Sequence, residues 1–112
     1  MNNEEKTANS QSYLTFKLGK EIFAVHVGKV SNILEMSAIT HVPKSPPHMK
    51  GVTNLRGSVL PVADTRIKLD MKETDYSANT CILVLNLRIE DEKVDLGAIV
   101  DSVQEVVEIE EN

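Results

Sequence analysis

The sequence predicts an all-β fold, either a barrel or a sandwich. Short apolar segments recur at even spacing, and turn residues bound each of them. Within several segments apolar and polar residues alternate, which is the period of a half-buried strand. The chain has 112 residues, enough for one domain or for two very small subdomains that share a core. Aromatic residues make up only 4% of the chain and Trp is absent, so the core must be aliphatic.

The first ordered element is a hairpin. Residues 1–11 are polar, and we expect them to form a disordered tail. Residues 12–18 alternate, with apolar side chains at every second position, and predict a strand. Gly19 and Lys20 supply a turn, and residues 21–27 return as the second strand.

A helix is predicted next, because Gly28 ends the second strand and a helical spacing follows. Over residues 29–35 the apolar side chains Val30, Ile33 and Leu34 stand at i, i+3 and i+4. Residues 40–42 predict a short returning strand. The loop 43–48 follows, since its three prolines exclude a helix.

The second half of the chain reads as strands joined by polar turns. Residues 65–69 predict one helical turn, and residues 70–79 predict a polar loop. The apolar run 80–85 is typical of a buried strand. A charged turn, a partner strand and a last strand are expected after it, at residues 90–93, 94–100 and 103–109.

Residues 50–66 are the most informative stretch. Gly51 and Gly57 favour tight turns, and the run 59–63 between Gly57 and Asp64 favours a strand. Pro61 cannot donate to a sheet, so this strand should lie at an edge or carry a bulge. Arg56 would then sit at the tip of a rigid turn, where an arginine can form a forked contact with a carboxylate.

This stretch resembles the signature of the CheW family, the coupling proteins of bacterial chemotaxis. The signature is a Gly-Val-x-Asn-Leu-Arg-Gly turn, an apolar strand that contains Pro, and an Asp-x-Arg; residues 51–66 carry all three parts. Residues 13–30 and 74–107 resemble the flanking regions of the family. The resemblance covers residues 12–109 as one CheW-like domain, which leaves 110–112 as an acidic tail.

The resemblance implies two small five-stranded barrels of the Src-homology-3 type, packed on each other. Family members continue for several dozen residues beyond the stretch that matches 103–109, whereas this sequence ends at Asn112. We therefore expect the second barrel to be incomplete and to expose strand edges. Two explanations would account for an incomplete barrel. One is exchange of strands in a homodimer, and the other is truncation or proteolysis of a longer chain.

The resemblance also implies which residues bind partners: Val30, Ile33, Lys50, Asn54, Arg56 and Gly57. In the family, the position that matches Val30 borders the groove where a receptor tip docks. Many members have a Glu at the position of Asn32, able to pair with the arginine that matches Arg56. Glu35, three residues further on, is the available substitute.

Other polar residues read as structural. Asp64 and Arg66 more often brace a strand end than catalyse. His26, His41 and His48 lack metal-ligand spacing, and Cys81 begins an apolar run where a thiol behaves as a small hydrophobe. The terminal acids favour a solvated tail (Glu105, Glu108, Glu110 and Glu111).

The implied function is a non-enzymatic adaptor that couples methyl-accepting chemoreceptors, at their cytoplasmic tip, to the regulatory domain of the histidine kinase CheA. The alternative is a CheW-like coupling protein of a non-flagellar, twitching-type pathway. No catalytic, cofactor or metal motif appears in the sequence. The net charge of −5 opposes a nucleic-acid partner, and no apolar stretch is long enough to insert in a membrane, so we expect a cytoplasmic protein.

Overall fold

The computed structural model describes residues 10–69, 71 and 76–110, which form two β-sheets with little helix. The strands are β1 (Ser10–Leu18), β2 (Glu21–His26), β3 (Val30–Glu35), β4 (Met49–Leu55), β5 (Ser58–Asp64), β6 (Cys81–Ile89), β7 (Glu92–Val100) and β8 (Ser102–Glu110). A 3₁₀ turn (Val27–Lys29) follows β2, and a one-turn helix α1 (Thr65–Lys68) follows β5. The predicted all-β fold is confirmed.

The larger sheet has the order β3-β6-β7-β5-β4 and closes on itself as a barrel. The chain after β3 turns back to β4, where the Thr40 N–H donates to the Val52 carbonyl at 2.8 Å and the Val52 N–H to the Thr40 carbonyl at 2.9 Å. The Thr53 hydroxyl adds a bond to the Ala38 carbonyl at 3.0 Å. The short strand predicted at 40–42 is therefore a single bridge at Thr40, and it joins the two edges of the sheet.

The smaller sheet has the order β2-β1-β8, so it combines the beginning and the end of the described chain. The described residues thus supply five strands to one unit and three to the other, as expected for two five-stranded barrels of which the second is incomplete. β1 and β8 reach beyond the predicted bounds 12–109, because Ser10 and Gln11 pair with Glu110 and Ile109. Residues 1–9 of the predicted tail, and residues 111–112, lie outside the described residues.

Strand β6 contributes to two cores, which explains its continuous apolar run. Ile82 and Val84 lie inside the barrel, with Leu60, Val62 and Ile99. The alternate side chain, Leu83, faces the smaller sheet and packs there with others (Leu14, Leu18 and Val100). Because adjacent residues of a strand point to opposite faces, a strand buried on both faces must be apolar throughout.

The predicted helix over residues 29–35 is wrong, because this segment is strand β3. β3 pairs with β6, and the register shifts between Val30 and Asn32. Such a bulge inserts one extra residue and moves later side chains to the other face. Val30 consequently packs between the sheets, whereas Leu34 packs into the barrel. Val30 and Leu34 are four residues apart and pack into different cores, but the same spacing is typical of one helical face.

The remaining turns agree with the sequence. Gly19 has a φ of +61° in the β1–β2 turn, and residues 43–48 contain neither helix nor strand. The prediction that the Pro61 strand lies at an edge or carries a bulge is wrong, because β5 lies between β7 and β4 and the register shift of this pair is on β4. Pro61 is tolerated because it lies one residue before the stretch of β5 that pairs with β7, so no hydrogen bond of that pairing needs its N–H. Much of the loop predicted at 70–79 lies outside the described residues.

Candidate functional site

The β4–β5 hairpin presents the central residues of the signature at its tip. Arg56 and Gly57 form the two-residue turn, with φ values of +54° and +85°. These are the signs that a type I′ turn requires at both central positions. The Asn54 side-chain oxygen accepts a hydrogen bond from the Gly57 N–H at 3.0 Å, and Leu55 packs against the barrel core. The tip is therefore fixed from within the hairpin and from the barrel below it.

Arg56 is exposed at this tip, as the sequence predicts. Within the described residues its guanidinium makes no ion pair or hydrogen bond, and in particular none with Glu35. Beside it, Val59 leaves 71% of its surface accessible and lies directly across the hairpin from Asn54. The tip thus combines an available cation with an apolar side chain. Val59 was not among the residues predicted from the sequence, because nothing in an apolar run tells which member faces solvent.

Lys50 lies at the other end of β4 from the turn. Arg56 is six positions further along the chain, a distance of roughly 20 Å at about 3.4 Å per residue. Lys50 is half-buried and lines a cleft of about 640 Å³ together with neighbouring apolar and polar side chains (Met36, Ile39, His41, Met49 and Tyr76). The structure therefore does not bring Lys50 to the tip with Arg56.

Val30 and Ile33, both on β3, have different environments. Val30 is half-buried against the core between the sheets, whereas Ile33 leaves 47% of its surface accessible. Ile33 stands opposite Leu83 in the register, on the side of the barrel that faces the smaller sheet. Next to it, Glu35 and Cys81 line an open cleft of about 690 Å³ between the barrel and β8. Neither Val30 nor Ile33 lines this cleft, and Ile33 is the more accessible of the two predicted residues.

Arg66 is the hub of a buried polar network. Its side chain is 1% accessible and forks onto Asp64, with nitrogen–oxygen distances of 3.2 and 3.1 Å. A third nitrogen donates to Asp101 at 3.2 Å, and the other oxygen of Asp101 accepts from the Gly19 N–H at 2.6 Å. This network ties the end of β5 to the β1–β2 turn and to the β7–β8 connection. It is a brace between the two sheets.

Hydrogen bonding and neighbouring carboxylates keep the Arg66 guanidinium ionised. Burial alone would lower the pKa of Arg66, but the hydrogen bond and the charges of Asp64, and then the charge of Asp101, raise it above its ordinary value. The Tyr76 ring lies 5.5 Å from the guanidinium carbon. Asp64 and Arg66 are recognisable as a pair in the sequence, whereas the contribution of Asp101, 35 residues from Arg66, has no local signal.

Cys81 and His26 serve the fold. Burial raises the pKa of the Cys81 thiol, which keeps it protonated near neutral pH. The His26 Nδ1 accepts from the Gly28 N–H at 2.9 Å and its Nε2 donates to the Gln11 side-chain oxygen at 2.5 Å, so this imidazole caps the 3₁₀ turn. In the described part of the chain no group of three or more His, Cys, Asp or Glu is placed to hold a metal ion. Nor do these residues contain a helix long and apolar enough to cross a membrane.

Comparison with known proteins gives consistent matches. The family model described as the CheW-like domain matches residues 12–112. The chain is 35% identical over 99 residues to the chemotaxis protein CheW of Klebsiella aerogenes, covering 88% of this chain and 57% of that protein. It is 36% identical over 96 residues to the probable chemotaxis protein CheW of Rhizobium etli, covering 86% and 59%.

A solved structure has the same fold. The scaffolding protein TtCheW of Thermoanaerobacter tengcongensis superposes with a TM-score of 0.81 at 29% identity, over 91% of this chain and 67% of that one. This chain spans a little under three fifths of the length of the two sequence relatives just described.

Proposed function

Because the chain belongs to the CheW family, we propose that it is a non-enzymatic adaptor that couples chemoreceptors to the histidine kinase CheA. The observation that supports this best is the exposed Arg56 at the tip of a hairpin that is fixed by its turn and by Leu55. A preordered tip loses little conformational freedom when a partner binds. An arginine beside an apolar side chain is a common centre of binding energy in protein interfaces.

The proposed adaptor has two binding surfaces. The β4–β5 tip, with Asn54, Arg56, Gly57 and Val59, meets a partner carboxylate through the arginine fork. The exposed surface at Ile33, between the barrel and the smaller sheet, receives an amphipathic helix of the receptor tip, and Val30 packs in the core beneath that side of β3. Lys50 belongs to the cleft at the far end of β4 and contributes to a separate part of the surface. Because both proposed partners lie in the cytoplasm, the chain would act there.

Self-association through a sheet edge belongs to the same proposal. Each edge strand of the smaller sheet, β2 or β8, has one neighbour within the described residues. A second copy could pair with such an edge. β8 already pairs with β1 over most of its length, so exchange would replace that pairing. Light scattering at several concentrations distinguishes a dimer mass from the 12.4 kDa chain.

The Arg56→Glu variant tests the tip. We expect its affinity for the CheA regulatory domain to fall at least about tenfold, equivalent to about 1.4 kcal/mol, because the fork is lost and a like charge faces the partner carboxylate. Titration calorimetry with the purified domain measures the change. Arg56→Lys keeps the charge without the fork, and we expect an intermediate affinity.

Lys20→Glu is the matched control, since it makes the same charge change on an exposed turn of the smaller sheet. Its affinity should stay within about twofold of the natural chain. Full binding by Arg56→Glu would show that the tip is not the interface. No binding by the natural, folded chain would instead favour a coupling protein of a non-flagellar pathway.

A further inference from the structure

A cluster of cations surrounds a cleft that the proposed function does not use. The cleft has a volume of about 450 Å³ and lies between the 3₁₀ turn and the β6–β7 hairpin. Lys29 approaches it from the turn, and Arg88 and Lys93 approach from the hairpin. Three basic side chains therefore converge from two separate segments in a chain whose net charge is −5.

Arg88 and Lys93 are directly opposite each other in the register of β6 and β7. Cross-strand neighbours have their Cβ atoms about 5 Å apart, and like charges in these positions repel. Both side chains are exposed, so neither is retained for packing of the core. The pair works against the stability of the hairpin.

No acidic side chain of the described residues forms an ion pair with the cluster, although Glu90, Asp91, Glu92 and Asp95 lie on the same hairpin. Asp95 accepts a hydrogen bond from Asn86 at 3.3 Å, and Arg88 donates only to the backbone carbonyl of Asp91, also at 3.3 Å. Among the residues that the structure describes, Lys29 and Lys93 have no ion pair or hydrogen bond from their side chains. None of the three cations is therefore held in an ion pair within the described residues.

We propose that this cleft is a docking surface for an acidic segment of a partner protein, held by Lys29, Arg88 and Lys93. Carboxylates complement the cluster, and the guanidinium of Arg88 can engage one of them as a fork. A site for a small buried anion would instead offer free backbone N–H donors. The Gly28 N–H on the cleft wall is already bonded to His26, so the cleft does not offer this donor to an anion. The overall negative charge of the chain opposes a nucleic acid. This surface is distinct from the Arg56 tip, and the proposal does not depend on the adaptor function.

Fluorescence anisotropy with a fluorescein-labelled deca-glutamate peptide tests the proposal on the full chain. We expect saturable binding that weakens as salt is raised. The double variant Arg88→Glu/Lys93→Glu should weaken binding about tenfold or more. The control Lys17→Glu/Lys20→Glu has the same change in net charge on the other hairpin and should weaken it less than about threefold.

Equal losses in the two double variants would overturn the proposal, because the effect would then be one of net charge alone. Displacement of the peptide by millimolar inorganic phosphate, or tighter binding of a deca-thymidylate, would overturn the choice of a protein partner. Lys93→Gln separates an effect on binding from an effect on stability. Its melting temperature should match or exceed that of the natural chain, while its affinity for the peptide falls. A lower melting temperature would mean that Lys93 is kept for stability.

Discussion

Gly51→Ala is expected to destabilise the barrel by about 3 kcal/mol or more. Gly51 has a φ of +148°, and a Cβ added there would lie 2.0 Å from the Thr40 carbonyl oxygen. That oxygen belongs to the pair of backbone bonds between Thr40 and Val52 that closes the barrel. The substitution therefore combines backbone strain with the loss of both bonds. Urea denaturation followed by circular dichroism measures the change.

Gly57→Ala is the matched control, because Gly57 also has a positive φ, of +85°, but nothing lies within 4 Å of the added Cβ. We therefore expect Gly57→Ala to lower the free energy of unfolding by only about 1 kcal/mol, the cost of a positive φ at a residue with a Cβ. The difference between the two variants isolates the steric contact with Thr40. Equal destabilisation by both would show that the barrel does not close at Thr40 in the way described.

Arg66→Met is expected to cost about 3 to 5 kcal/mol of unfolding free energy. The substitution keeps an aliphatic chain but leaves the Asp64 carboxylate, which is 0% accessible, without its cation. It also removes the hydrogen bond to Asp101, whose other carboxylate oxygen holds the β1–β2 turn. For a domain with a total stability of about 5 to 15 kcal/mol, this is a large share. Urea denaturation at pH 7 gives the value.

Arg88→Met serves as the comparison, since Arg88 is exposed and forms no ion pair within the described residues. Its stability should change by no more than about 0.5 kcal/mol. If Arg66→Met costs as little as Arg88→Met, the buried network does not brace the two sheets.

Much of the fold could be predicted because local patterns dominate there. The alternation in β1, the turns at Gly19 and Gly57, and the unbroken apolar run of β6 each follow from period, turn chemistry and two-sided burial. α1 also lies where one helical turn was expected, and Asp64 caps it by accepting from the Arg66 N–H.

The failures are places where distant parts of the chain decide the outcome. Val30 and Leu34 lie in different cores because a bulge against β6 interrupts β3, and a seven-residue window cannot show the bulge. Likewise, the bridge between Thr40 and Val52 depends on the barrel that it completes. Tertiary pairing, rather than local preference, sets these elements.

The candidate site was predictable in part for the same reason. The turn around Arg56 is local, so its exposure and its Asn54 bond follow from the signature residues. The separation of Lys50 from this tip, the exposure of Ile33 rather than Val30, and the convergence of Lys29 with Arg88 need the sheet order and register. No linear motif encodes them.

A bridging assay tests the adaptor function most directly. A chemoreceptor tip fragment is immobilised, and the retained CheA regulatory domain is measured with and without this chain. The proposed function predicts that the kinase domain is retained only when the natural chain is added, and that Arg56→Glu abolishes most of this retention while Lys20→Glu does not. Retention of the kinase domain at the same level without the chain, or binding of receptor and kinase to the chain only in competition, would contradict it.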